Sequence, residues 1–140
     1  MVLVINVFCN QRGSGKTKKL IKLANEKALE NRGNIVYIDD DDRPLFELDR
    51  KIRFVTTNEF KVKNYDSFYG FMCGMLSQDY DIDTVFIDGL FNIVDGSLKD
   101  AAQLFYALEK LSEEYEVDFF ITINGECDLL PEYIKKYVAW

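Results

Sequence analysis

A glycine-rich stretch near the amino end combines residue types that could bind phosphate. Residues 10–17 read Asn-Gln-Arg-Gly-Ser-Gly-Lys-Thr. Backbone N–H groups of such a stretch can point at an anion, and glycine permits both the turn and the close approach. The lysine supplies a positive charge, and the threonine supplies a hydroxyl that can ligate Mg²⁺. The residues predicted to hold phosphate are Asn10, Arg12, Gly13, Ser14, Gly15, Lys16 and Thr17.

An aspartate that follows a later apolar run is the predicted partner of this loop. Asp88 comes directly after residues 84–87, Thr-Val-Phe-Ile. In a parallel sheet the ends of neighbouring strands meet at one edge, so we expect Asp88 to lie beside Thr17. From there it could reach Mg²⁺ through water. The sequence therefore predicts a metal site made by Thr17 and Asp88.

Two further polar groups follow apolar runs and leave alternatives open. Asp39 and Asp40 begin the acidic run 39–42, and a carboxylate there could act as a catalytic base or simply be part of a solvated acidic turn. Asn124 follows residues 117–123 and could contact phosphate, or it could form a turn with Gly125, because Asn-Gly is a favoured turn dipeptide.

Alternating strand and helix patterns must position these residues. The strand runs are almost continuously apolar, as in strands that are buried on both faces of a parallel sheet. Strands are predicted at residues 2–8, 35–38, 84–87 and 117–123, and helices at 16–31, at 66–76, after the cap Ser97 and at 132–136. We therefore predict an α/β fold, a three-layer α/β/α sandwich with a mostly parallel sheet. A short strand at 52–55 and a strand or helix tail at 137–140 stay open.

Composition limits the classes of function. The chain has 140 residues, which suits one domain, and we predict a single domain over residues 1–140. Its 24 acidic and 17 basic residues give a net charge of -7, which argues against nonspecific nucleic-acid binding. No apolar run reaches the roughly 20 residues of a membrane span. We expect no membrane partner and a cytoplasmic location.

The spacing of the cysteines does not indicate a metal site. Cys9, Cys73 and Cys127 lie far apart, and the sequence contains no histidine that could complete a common zinc site. The prediction is that all three are reduced and mostly buried thiols.

Two segments resemble the motifs of P-loop NTPases. Residues 10–17 resemble Walker A, and Thr84-Val-Phe-Ile-Asp88 resembles Walker B. The resemblance implies a P-loop NTPase-like sheet that binds ATP with Mg²⁺, Lys16 bridging the β- and γ-phosphates. Asn124 resembles the polar sensor of the branch with an additional strand between the Walker A and Walker B strands, which includes RecA-like and AAA-type ATPases. In that role Asn124 would sense the γ-phosphate.

Two positions depart from the family pattern. Asn10 stands where the Walker A pattern begins with glycine, and asparagine tolerates positive φ, so we expect the turn to survive. Gly89 stands where many ATP-hydrolysing relatives have a glutamate that polarises water. Hydrolysis would therefore need another base, and Asp39 and Asp40 are the candidates.

Three functions follow from the resemblance. The first is a Mg²⁺-dependent ATPase that acts as a switch or as a minimal motor core. The alternatives are a small nucleotide or metabolite kinase, in which Asp39 or Asp40 activates the acceptor hydroxyl, and a nucleotide-binding module without hydrolysis. The absence of an Asn-Lys-x-Asp motif favours ATP over GTP. Because additional-strand ATPases often act as oligomers, the resemblance also implies a homo-oligomer or a protein partner.

Overall fold

A computed structural model describes residues 4–11, 13 and 15–139. Among these residues a five-stranded sheet forms, in which every strand pairing is parallel. The strands are β1 (Ile5–Asn10), β2 (Asn34–Asp39), β3 (Ile52–Thr56), β4 (Ile82–Ile87) and β5 (Asp118–Asn124). Their order across the sheet is β1-β5-β4-β2-β3, so β5 lies between β1 and β4. The predicted α/β class and the parallel sheet are confirmed.

Helices cover both faces of the sheet. They are α1 (Lys16–Glu30), α2 (Tyr65–Gln78), α3 (Leu90–Ile93), α4 (Leu98–Tyr115) and α5 (Glu132–Lys135). The sequence specifies two of their starts: the Asn64 side chain accepts a hydrogen bond from the backbone N–H of Ser67, and the Ser97 side chain accepts one from that of Asp100. Helix α1 ends at Asn31, in the left-handed conformation with φ of 55°, two residues before the predicted stop at Gly33.

The face under α1 carries a row of aromatic rings that crosses all five strands. From β1 to β3 the members of this aromatic row are Phe8, Phe120, Phe86, Tyr37 and Phe54, and adjacent ring centroids are 6.2, 5.0, 6.0 and 6.1 Å apart. Leucine, isoleucine and alanine side chains of α1 pack onto the same cluster. Each stacked aromatic pair adds about 1 kcal/mol to the gain from burial. The row thus holds the strands in register beneath the helix that begins at the predicted phosphate loop.

The opposite face packs against α2, α4 and α5. Its core consists mainly of aliphatic residues of β1, β4 and β5 together with the apolar faces of these helices. Phe68, Met72 and Leu76 of α2 are fully buried there, so Met72 fills the core, as the helical spacing predicts.

Two segments whose secondary structure the sequence left open lie at opposite edges of the sheet. Residues 52–56 form β3, an edge strand that pairs with β2 after a 3-10 helix at Arg43–Glu47. Residues 137–139 run along the outer side of β1, where the Val7 N–H donates to the Tyr137 carbonyl at 2.8 Å. Strand β1 therefore has a neighbour on each side. None of the helices among the described residues is both long enough and apolar enough to cross a membrane.

The prediction of three reduced thiols is wrong for two of them. Cys9 and Cys127 form a disulfide, with their Cα atoms 5.5 Å apart, whereas Cys73 is a free, partly buried thiol. The two cysteines are 118 positions apart in sequence. They meet because β1 and β5 are parallel neighbours whose last residues, Asn10 and Asn124, are in register.

Candidate functional site

A cleft of about 530 Å³ opens at the carboxyl ends of β1, β5, β4 and β2. Ligand pockets in proteins commonly have volumes of roughly 300–1,000 Å³, and open parallel sheets bind ligands at this edge. The residues that line it are Gly13, Gly15, Lys16, Thr17, Lys18, Ile21, Asp39, Asp40, Arg43, Glu47, Asp88, Gly89, Asn92 and Asn124. Arg12 and Ser14, which were also predicted to hold phosphate, lie outside the described residues. The structure thus gathers all other predicted site residues except Asn10 along one cleft.

The glycine-rich loop closes over a buried lysine. Gly13 and Gly15 have φ of 85° and 90°, a backbone conformation that residues with a side chain rarely adopt. A Cβ at either position would nevertheless meet no atom within 4 Å. Glycine is therefore required for the backbone torsion and not for lack of space. Lys16 is only 6% exposed, and its Nζ donates to the carbonyls of Asn10 and Gln11, both at 2.8 Å. These bonds hold the ammonium group across the base of the loop.

Asn10 supports the loop differently from the sequence expectation. It is not among the residues with positive φ; it ends β1 in extended backbone, in register with Asn124. Its side-chain Oδ1 accepts from the Gln11 N–H at 2.8 Å, and its carbonyl accepts from the Gly125 N–H at 2.8 Å. The tolerance of asparagine for positive φ is therefore not used at Asn10, because pairing with β5 keeps the backbone extended up to this residue.

Asp88 lies at the end of β4 within a set of three hydroxyl groups. Its Oδ1 accepts from the hydroxyls of Thr17 at 3.3 Å and Thr122 at 2.8 Å, and its Oδ2 accepts from the Tyr37 hydroxyl at 2.9 Å. The carboxyl group is only 5% exposed. We call Asp88 and these three hydroxyls the hydroxyl cage. Each donor satisfies part of a buried carboxylate that would otherwise be costly to desolvate.

The hydroxyl cage also fixes what Thr17 can offer to a ligand. Because the Thr17 hydroxyl donates its proton to Asp88, its lone pairs remain available to a cation. Oxygen ligands of this kind suit Mg²⁺, which keeps several waters and takes few protein ligands. In the part of the chain that is described, no group of three or more histidine, cysteine, aspartate or glutamate side chains could hold a metal ion. A Mg²⁺ ion here would therefore take its remaining ligands from phosphate oxygens and water.

Asp39 lies in the same cleft but in different surroundings. It ends β2 and is 8% exposed. Burial raises the pKa of its carboxyl to about 9, with further contributions from a hydrogen bond to the Asp40 carboxyl and from the charge of Asp88. Near neutral pH Asp39 is therefore protonated in the free protein. A carboxyl with a raised pKa releases its proton less readily, which does not favour Asp39 as a general base; that role stays a prediction.

The remaining predicted residues reach the rim of the cleft. Asp40 is partly buried, and its carbonyl accepts a hydrogen bond from the Asn58 side chain. Asn124 is exposed at the end of β5. Arg43, whose side chain is 86% exposed, pairs with Asp41 at 2.7 Å. These side chains border the space in front of the loop.

Three residues of the site were missed from the sequence. Tyr37 and Thr122 were interpreted only as members of buried strands, and Asn92 was not considered. Tyr37 could have been noticed as the one hydroxyl-bearing side chain in an otherwise apolar strand that precedes the acidic run. Asn92 lies on α3, one turn after Gly89, and a Cβ at Gly89 would approach its Nδ2 to 2.8 Å. Gly89 thus leaves room for this amide at the cleft.

The arrangement can bind an anion at the loop and a cation beside it. The cation would be held by the Thr17 hydroxyl, oriented by Asp88, and the anion by the loop N–H groups and Lys16. Neither a scan of protein-family models nor a search of curated proteins finds a match to this chain.

Proposed function

We propose that this protein binds Mg²⁺-ATP in the cleft and acts as a Mg²⁺-dependent ATPase of the switch type. The observation that carries the proposal is the meeting of the glycine-rich loop, with its buried Lys16, and the Thr17–Asp88 pair at 3.3 Å. The two halves come from separate strands, β1 and β4, with β5 between them. This order is the one expected of the additional-strand branch of P-loop NTPases.

Phosphate binding follows from the loop. Lys16 is held by two backbone carbonyls, which a polyphosphate would replace as hydrogen-bond acceptors. The amino end of α1 adds the positive end of the helix dipole. An incoming triphosphate would thus meet the positive end of the helix and the lysine together.

Metal binding follows from the hydroxyl cage. When bound, Mg²⁺ would neutralise charge on the phosphates. Thr17 would be a direct ligand, and Asp88 would hold its hydroxyl and a metal-bound water. Asn124 would contact the terminal phosphate from the end of β5, in keeping with the resemblance to a sensor residue.

The features of the cleft favour slow hydrolysis. Gly89 offers no carboxylate, and Asp39 is protonated near neutral pH because of its raised pKa. Asp40 is the remaining predicted candidate for orienting water. A protein that binds the nucleotide well and hydrolyses it slowly behaves as a switch, with its state set by the bound nucleotide.

A kinase is the second candidate, and the shape of the cleft is what favours it. The cleft extends beyond the loop to Asp40, Arg43 and Glu47, which leaves room for an acceptor molecule. In such a reaction the acceptor hydroxyl would attack the terminal phosphorus of ATP, its proton would pass to a base, and ADP would leave. ADP release that depends on an added acceptor would identify this activity.

The test compares the wild type with Lys16→Ala. We expect wild type to bind Mg²⁺-ATP and to release phosphate slowly, and we expect Lys16→Ala to lose roughly 100-fold or more in affinity, because a buried charge-assisted contact to phosphate is removed. Binding is measured by calorimetry and phosphate release by a coupled assay. The matched control is Lys22→Ala, which removes an exposed lysine of the same helix that does not line the cleft. A wild type that binds neither ATP nor GTP would show that the loop is only a structural turn.

A further inference from the structure

Tyr37 stands out because it belongs both to the aromatic row and to the hydroxyl cage. Its ring is fully buried and stacks between Phe54 and Phe86, with centroids 6.1 and 6.0 Å away. It is the one member of the row that bears a hydroxyl. That hydroxyl reaches from β2 to Oδ2 of Asp88, the residue directly after the adjacent strand β4, at 2.9 Å.

Packing alone does not account for the hydroxyl. A phenylalanine would fill the same place in the stack, as it does at the other four positions of the row. Burial of a phenol hydroxyl costs free energy unless it finds a partner, and Tyr37 finds its partner in the predicted metal-site carboxylate.

The bond from Tyr37 determines how the Asp88 carboxylate faces the cleft. Thr17 and Thr122 both donate to Oδ1, and Tyr37 donates to Oδ2. The three donors come from α1, β5 and β2, so together they fix the rotation of the carboxylate plane. Without Tyr37, Oδ2 would lose its donor among the described side chains, and the carboxylate could turn about its Cβ–Cγ bond. Its orientation toward Thr17 and toward a metal-bound water would then be lost for part of the time.

We propose that Tyr37 is a positioning residue for the metal: its hydroxyl orients Asp88 so that Thr17 and a metal-bound water meet the carboxylate in one geometry. This inference rests on the proposed binding of Mg²⁺-ATP. Tyr37 touches neither metal nor nucleotide. It acts through Asp88. The packing of Tyr37 in the sheet thereby affects the orientation of the carboxylate and the affinity for Mg²⁺.

The test is Tyr37→Phe, which removes the hydroxyl and retains the ring. Nucleotide affinity is measured by calorimetry with ATP in Mg²⁺ and again with ATP in EDTA, and the ratio of the two affinities is the readout. Loss of one hydrogen bond to a charged group should lower the affinity in Mg²⁺ roughly fivefold to tenfold and leave that in EDTA unchanged. The Mg²⁺ concentration that gives half-maximal binding should rise by the same factor.

The matched control is Phe54→Leu. It removes the ring that stacks on Tyr37 from β3 but leaves the hydroxyl and Asp88 in place. This variant should unfold at a lower temperature than the wild type and keep the wild-type ratio of affinities. A purely structural role for Tyr37 would instead let Tyr37→Phe change both affinities equally or neither of them, and that result would overturn the inference.

The same measurements separate this inference from the proposed function. If wild type binds no nucleotide, or binds ATP equally well in Mg²⁺ and EDTA, the proposed metal site is wrong, and the role of Tyr37 is wrong with it. If wild type shows a clear preference for Mg²⁺ that Tyr37→Phe retains in full, only the role of Tyr37 is rejected.

Discussion

The ends of β2 and β4 each present a buried aspartate to the same cleft, but the two sets of surroundings differ. Asp88, at the end of β4, receives hydrogen bonds from three hydroxyls. Asp39, at the end of β2, receives backbone N–H bonds from Asp41, at 3.2 Å, and from Asp40, and it shares a hydrogen bond with the Asp40 carboxyl. Their exposed fractions are nearly the same, 5% and 8%. The number and kind of donors, and not burial, distinguishes them.

This difference assigns the two carboxyls opposite tasks. A carboxylate surrounded by hydroxyl donors can stay charged in a buried place and orient a cation. Burial, together with the neighbouring carboxyls of Asp40 and Asp88, raises the pKa of Asp39, and a protonated carboxyl can donate a hydrogen bond to a phosphate oxygen or to another acceptor. Adjacent strands of one sheet thus supply two carboxyl groups in different surroundings within one cleft.

The largest expected effect comes from Asp88→Asn. An amide would place an NH₂ group where the cage supplies donors, so at least one of the three hydroxyl contacts would be lost together with the charge. We expect the affinity for Mg²⁺-ATP to fall more than about 100-fold, and the free energy of unfolding to fall by about 2 kcal/mol. Calorimetry and urea denaturation measure these two quantities. A variant with wild-type affinity in Mg²⁺ would contradict the metal-orienting role of Asp88.

Reduction of the Cys9–Cys127 disulfide should lower the stability of the fold and leave the contrast between Asp88 and Asp39 unchanged. The bond closes a loop of more than a hundred residues, and opening it should cost about 2–5 kcal/mol of unfolding free energy. The hydroxyl cage depends on strand ends and should survive reduction. We therefore expect a lower urea midpoint in the presence of a reductant, and wild-type Mg²⁺-ATP affinity. Cys73→Ser, which changes the unpaired thiol, is the control and should respond to the reductant as wild type does.

The smallest expected effect is that of Asp39→Asn near neutral pH. Because the folded-state pKa of Asp39 is raised from its ordinary value of 3.8 to about 9, the folded protein keeps a proton that the unfolded chain releases. The contribution of this group to stability is complete below about pH 4 and falls as the pH rises toward 9. Asparagine resembles the protonated carboxyl and cannot titrate. The variant should therefore lose less stability than wild type between pH 5 and pH 9, with little change in Mg²⁺-ATP affinity at pH 7.

Urea denaturation at several pH values measures how steeply the free energy of unfolding falls with pH in the wild type and in Asp39→Asn. Asp40→Asn is the matched comparison, since it removes a neighbouring carboxyl that is more exposed. If wild type and Asp39→Asn lose stability in parallel across this range, Asp39 is ionised in the folded protein, and the contrast with Asp88 is wrong.

Local patterns in the sequence were enough to predict most of the strands and the loop that leads into α1. The apolar runs predicted four of the five strands, because strands buried on both faces need apolar residues at nearly every position. The spacing of glycine, lysine and threonine after the first run predicted a loop that leads into α1. Thr17 and Asp88 were expected to lie together, and the structure brings them to 3.3 Å.

What the sequence could not provide depends on contacts between distant residues. The disulfide joins residues that only the pairing of β1 with β5 brings together. The raised pKa of Asp39 depends on burial by elements that pack around it. Tyr37 looks like any strand residue until its hydroxyl is placed against Asp88. The edge strand β3 was uncertain because its alternation is weak and its flanks are charged, so tertiary pairing decides its structure.

The placement of β1 also bears on how the chain folds while it is being synthesised. In the sequence β1 precedes its neighbours, β5 and residues 137–139, by more than a hundred residues. Contacts between such distant parts of a chain form slowly, and an unpaired apolar strand is prone to aggregate. Until β5 has been synthesised, β1 lacks both of these neighbours and can pack only against nearer elements such as α1. The loop between β1 and α1 can therefore reach its final shape only after β5 has been synthesised.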